Sequence, residues 1–187
     1  VTFGEEEIMK TFIVSMVAAA LLAGCMKQES LKSVSSPATS QEQPKTEVPK
    51  YLIDRPSELY ARDGKKIVNA HAEDLAVAKR YVEFSDKGKL DNGQRITIMT
   101  AKSTYQVGED VRVIHVLEAP EPGREIHVMG PKPIENEFVD GKLASPKRTG
   151  LAVYDGSVTE SPGVDFNYEV STHTFDTPGE HTIQWKG

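Results

Sequence analysis

Apolar residues recur at every second position along much of the chain after residue 94. Residues 95–100, 111–117, 125–129, 166–170 and 181–185 each alternate in this way, which is the period of a half-buried β-strand. β-Branched and aromatic side chains fill these runs. Gly, Pro, Asn or Asp separate them, at residues 91–93, Gly108, 120–123, 140–141, 155–156 and 178–179, as turns between strands require. Residues 137–143 predict a hairpin closed by Asp140-Gly141, because Asp-Gly tolerates the positive φ angles of a two-residue turn. Short strands at this spacing predict a mainly β fold, a sandwich of antiparallel sheets. A helical period is found only in residues 70–84, where Leu75, Ala78 and Val82 share a face. It predicts a short helix over 72–79 followed by a strand.

The N-terminal part breaks this pattern. Residues 12–23 are apolar except for Ser15, a run shorter than the roughly 20 residues that span a bilayer. Lys10 precedes the run, and Leu22, Ala23, Gly24 and Cys25 close it. A positive residue, an apolar stretch and then small residues is the order of a cleaved export signal. Residues 22–25 resemble the lipobox of bacterial lipoproteins, and the resemblance extends from Met9 to Cys25. It implies that Cys25 is diacylated on sulfur, that the chain is cut between Gly24 and Cys25, and that the new amino terminus is acylated too. Several acyl chains, at about 0.8 kcal/mol per buried methylene, make a lasting membrane anchor where one would not. Met26 follows the cysteine, where an Asp would retain a Gram-negative lipoprotein in the inner membrane, so the resemblance implies the outer membrane. The alternative for Cys25 is a small buried hydrophobe at the end of an apolar helix. Glu5, Glu6 and Glu7 do not suit the positive start of an export signal, and Gly-Glu-Glu-Glu is how a purine-rich ribosome-binding sequence would read in translation. Met9 is therefore the expected initiator, with 1–8 untranslated and 1–24 absent from the mature protein.

From Lys27 to Lys50 the chain is rich in Ser, Thr, Gln, Lys and Glu, punctuated by Pro37, Pro44 and Pro49. Such a segment buries too little surface to offset its ordering entropy. Residues 25–50 are thus a lipidated Cys and a tether with an end-to-end distance of about 25–30 Å. Residues 51–94 form an N-terminal extension, helical or irregular, packed on a sandwich of residues 95–187. Within that sandwich Tyr105, Gly108 and Glu109, leading into the run 111–117, resemble the opening of bacterial immunoglobulin-like domains. Pro178-Gly179 before the run 181–185 resembles the approach to the penultimate strand of such domains. The resemblance implies an immunoglobulin-like β-sandwich, and one more strand would be expected after Trp185, so the expected domain lacks its last strand.

Composition narrows the function classes. The length of 187 residues allows one domain and little more. A single cysteine makes no internal disulfide and no thiolate zinc cluster. A formal net charge of -6 argues against a nucleic-acid partner, which needs a basic face. The sequence carries no Gly-x-Ser-x-Gly elbow and no glycine-rich phosphate loop. His115 with His127, and His173 with His181, are possible cross-strand neighbours, but zinc needs three or four ligands with supporting groups. No metal and no other cofactor is expected, and Glu118, Glu121 and Glu125 read as a solvated acidic loop. Long connections carrying Met129, Tyr154 and Asp155 are candidate binding loops, since recognition concentrates in loops on a rigid scaffold. Met129 and Tyr154 either cap the core or touch a partner; Trp185, alternating with Ile183, reads as core. The expected protein is not an enzyme but a lipid-anchored cell-envelope protein, held in the membrane through acylated Cys25, whose sandwich binds a protein or a glycan or serves a structural role. The alternative is an envelope proteinase inhibitor of immunoglobulin-like fold.

Overall fold

The structure is a computed structural model that describes residues 9–17, 48–53, 56–144 and 157–186. In chain order its strands are β1 (Met9–Val17), β2 (Tyr60–Asp63), β3 (Lys66–Asn69), β4 (Arg95–Met99), β5 (Thr104–Gln106), β6 (Asp110–Ala119), β7 (Glu125–His127), β8 (Glu137–Val139), β9 (Lys142–Leu143), β10 (Val158–Glu160), β11 (Gly163–Asp165), β12 (Ser171–Thr174) and β13 (Gly179–Lys186). A short helix, α1 (Ala72–Ala78), precedes β4. The protein is mainly β, with several antiparallel sheets, an arrangement consistent with a β-sandwich.

One sheet runs β5-β1-β13-β8-β9. In a second, β4 pairs along one side of β6, while β11 and β12 share its opposite side, and β7–β10 and β2–β3 form separate two-stranded ladders. β6 explains why both faces of this second sheet are covered. Val111 and Val113 face the first sheet, packing with Ile96, Ile98, Tyr105, Phe175, Ile183 and Trp185. Ile114 and Val116, of opposite parity, pack with Leu52, Leu59, Val77, Tyr81, Phe166 and Val170. Two cores therefore lie on the two sides of one sheet, and a strand buried on both faces reads as a nearly continuous apolar run.

Local chemistry accounts for the ends of the elements. The α1 start is held by the His71 amide donating to Asp74 Oδ2 at 2.9 Å. The Asp140-Gly141 turn between β8 and β9 has φ of 49° and 74°, the positive values that the sequence predicts for a two-residue hairpin. Two expectations change. Residues 81–83, expected as a strand, form a 3-10 turn, because the Arg80 amide still bonds the Val77 carbonyl and the turn buries Tyr81 in the second core. Residues 166–170 alternate but form no ladder, only bridges to Ala61 and Lys132. Phe166 and Val170 join the second core while Tyr168 packs on the first, a division that one straight strand could not make.

The most distant pairing is that of β1. It lies antiparallel to β13, from Met9 opposite Lys186 to Met16 opposite Gly179, and parallel to β5. Val14 and Met16 are buried in the first core, whereas Ile13 is 53% exposed. Among the described residues, no helix is long and apolar enough to cross a membrane.

Candidate functional site

Strand register brings together side chains that are far apart in sequence. Ser171 and His173 on β12 lie opposite Val113 and Val111, so they share the face of β6 that carries His115. Glu137 on β8 lies opposite Trp185 of β13, on the inner face of the other sheet. The four polar groups meet at the β8–β12 edge of the sandwich. His115 Nε2 is 3.0 Å from Glu137 Oε1, and His173 Nε2 is 3.1 Å from Glu137 Oε2. The Ser171 hydroxyl donates to Glu137 Oε1 at 2.8 Å. His115 is wholly buried, its ring edge-on to Trp185 at 4.9 Å between centroids, and its Nδ1 has no hydrogen-bond partner among the described residues.

Electrostatics fixes the charge of this carboxylate. Burial pushes the Glu137 carboxyl up, but the hydrogen bonds and charges of His115 and His173 outweigh it and hold the group well below the usual carboxylate range. Above it opens a cleft of about 320 Å³. Its wall is apolar at Pro133, Ile134 and Val170, and polar at His173, Thr172 and the Arg62–Glu169 pair. Arg62 donates to both Glu169 oxygens through Nε at 2.9 Å and Nη2 at 2.5 Å, a two-pronged geometry that is stronger and better oriented than a single contact.

Ser, His and Glu in contact invite comparison with a nucleophilic triad, and the geometry differs from one. A triad places imidazole between hydroxyl and carboxylate, one ring nitrogen for each, so that the ring can take the hydroxyl proton. Here Ser171 and Glu137 face the same nitrogen, His173 Nε2, the serine at 3.4 Å. The serine proton is directed at Glu137 instead.

The wall of this cleft adjoins the loop that carries Met129. Lys132 Nζ binds Asp165 and the His127 carbonyl, and lies 4.1 Å from the centre of the Tyr168 ring, which stacks edge-on with Trp185. Backbone bonds join the Lys132 amide to the Asn167 carbonyl and the Glu169 amide to the Lys132 carbonyl. Burial raises the Asp165 carboxyl, and the Lys132 charge offsets this only in part. Met129 is half-buried in this tied loop. Tyr154 and Asp155, and likewise Leu22, Ala23, Gly24 and Cys25, lie outside the described residues.

The histidines divide. His115 and His173 come together; His127 is exposed on β7, and His181 binds Asp140 Oδ2 at 2.8 Å. Among the described residues, no group of three or more His, Cys, Asp or Glu is placed to hold a metal ion. Glu118, expected in a solvated loop, is instead fully buried near the end of β6. Tyr51 and Tyr81 donate to it at 2.7 and 2.5 Å, and Arg95 Nε at 2.6 Å. Sequence patterns did not single out Glu137, Ser171, Arg62 or Glu169. A usable signal was present for Glu137, since a charged residue directly precedes an apolar pair in a hairpin strand.

No family model matches the chain, and no curated protein or solved structure matches it.

Proposed function

We propose that this protein is a lipid-anchored protein of the cell envelope, cut before Cys25 and placed in an outer membrane, whose immunoglobulin-like β-sandwich is a non-catalytic binding or structural module. The observation that carries the anchor is Leu22-Ala23-Gly24-Cys25 at the end of an apolar run that follows Lys10. A polar, proline-punctuated tether after the cysteine supports it, by setting the domain clear of the lipid surface. The immunoglobulin-like assignment is supported by the pairing order. β6 is flanked by β4 and by β11 and β12 in one sheet, and β13 by β8 in the other, with β5 parallel to the strand beside β13. A binding role is supported by the cleft of about 320 Å³ beside Glu137, walled by apolar Pro133, Ile134 and Val170 and by polar Thr172 and His173. The partner is a protein or a glycan that meets the cleft and the adjoining loop of Met129, with Tyr154 and Asp155 as further candidate binding residues.

Expression of the chain in a Gram-negative host fed radiolabelled palmitate tests the anchor. The wild type is expected to take up label and to sediment with outer membranes, and Cys25→Ser to lose both. An unlabelled wild type, or a Cys25→Ser chain that keeps its label, overturns the proposal.

A further inference from the structure

Lys132 and Asp165 stand 33 positions apart in sequence and meet in the interior, and neither lines the Glu137 cleft. The Lys132 side chain is 15% exposed and that of Asp165 not at all. We propose that Lys132 Nζ and the Asp165 carboxyl condense into an intramolecular amide bond, a covalent cross-link that ties the Met129 loop to β11. The cross-link depends neither on the lipid anchor nor on a partner at the cleft.

Both groups are held in place before they react. Asp165 ends β11, opposite Leu117 of β6, so a paired strand fixes its backbone. The Lys132 amide donates to the Asn167 carbonyl at 2.6 Å, and the Glu169 amide donates to the Lys132 carbonyl at 2.7 Å. The loop lies so close to this segment that a Cβ on Gly130 would stand 2.4 Å from Asn167 Cβ. Nζ is in direct contact with Asp165 Oδ2, donates to the His127 carbonyl at 2.9 Å and sits 4.1 Å from the Tyr168 ring centre. Asp165 Oδ1 accepts the Asn167 amide at 2.9 Å. An amine and a carboxyl fixed in contact react as though very concentrated, at effective molarities of about 10⁵ M or more for well-oriented groups.

The step balances without an added reagent. In the contact one ammonium proton passes from Nζ to Oδ2, leaving an amine and a carboxylic acid, the pair that a dry interior prefers to two ions. Burial raises the Asp165 carboxyl more than Lys132 and Asn167 lower it, which supports that transfer. The Nζ lone pair then attacks Cγ, and the negative charge that gathers on Oδ1 is met by the Asn167 amide. Nζ gives a second proton to the hydroxyl at Oδ2, the Cγ–Oδ2 bond breaks and water leaves. The third proton stays on the amide nitrogen, which keeps the His127 carbonyl as its acceptor. Titration of Asp165 therefore belongs to the unlinked chain.

A mass map of the full chain, purified, denatured and cut after glutamate, tests the cross-link. Lys132 and Asp165 then fall in the peptides 126–135 and 161–169. The wild type is expected to give one branched peptide, lighter by one water than the two together, whose fragments join at Lys132 and Asp165. Lys132→Arg and Asp165→Ala are each expected to give two linear peptides. A wild-type digest that holds only the two linear peptides at full mass overturns the proposal, and so does a branched peptide that persists in either variant. Asp140-Gly141 and Asp155-Gly156 can lose water by closing to a ring imide, but both lie outside these peptides. A water loss confined to them also overturns the cross-link. The wild-type digest decides even where a variant fails to fold.

Discussion

Glu137 has almost no exposure and holds an imidazole on each oxygen, so its protonation is a statement about stability. Its folded-state pKa lies below the ordinary 4.5. A depressed carboxyl contributes stability that is present above its unfolded value and is lost as pH falls toward the folded one. Glu118 is shifted in the same direction, since the bonds from Arg95, Tyr81 and Tyr51 outweigh its burial. Asp165 acts the other way: its raised pKa favours the fold at low pH and costs stability as pH rises through it. The melting temperature should therefore fall as pH drops below about 4.5. Glu137→Gln should melt lower at neutral pH and lose less on acidification, which thermal melts from pH 7 to 3 would check. At Glu118 the carboxylate links β6 to Tyr51, Tyr81 and Arg95. Removing one member of a buried charged network costs about 3–5 kcal/mol, whereas losing one hydroxyl bond to a carboxylate costs about 1.5–3 kcal/mol. Urea unfolding of Glu118→Ala against Tyr51→Phe is expected to reproduce that order. Tyr51 itself, pushed up to about 12 by burial and by the neighbouring carboxylate, stays a donor throughout the neutral range.

At the scale of elements, close packing decides what local propensity leaves open. Gly88 donates its amide to Thr97 Oγ1 at 3.1 Å, and a Cβ placed on it would stand 1.8 Å from the Ile96 carbonyl oxygen of β4. That oxygen belongs to a paired strand and cannot yield cheaply. Gly88→Ala is expected to destabilise by about 3 kcal/mol, the upper end for overpacking. Gly64→Ala, in the open β2–β3 turn with φ of +58°, should cost only about 1 kcal/mol of left-handed strain. Denaturant midpoints of the two variants would separate steric clash from backbone strain. The short helix, the Asp140-Gly141 hairpin and the runs that became β4, β6 and β13 were legible because each is specified by neighbours in sequence. Residues 81–83 and 166–170 were not, because their side chains are claimed by cores that form only when distant segments meet.

For the whole molecule, stability is divided between two cores on either side of the β6 sheet. Val14 and Met16 of β1 close the first of these. Val14→Ala and Met16→Ala should each lower the unfolding free energy by about 2–3 kcal/mol, the cost of cavities in a packed interior. Equilibrium unfolding in urea reads this directly, and two silent substitutions would remove β1 from the core. The sequence by itself determined the period-two strands, their turns, the short helix and the ordered series of charge, apolar run, small residues and Cys25, because these depend on residues within a few positions of one another. Only the tertiary structure decided that Arg62 meets Glu169 across 107 positions, that His115 and His173 share Glu137, and that residues 9–17 fit between β5 and β13. Strand register and long-range pairing bring these groups together, and neither is written in the local pattern of any one segment.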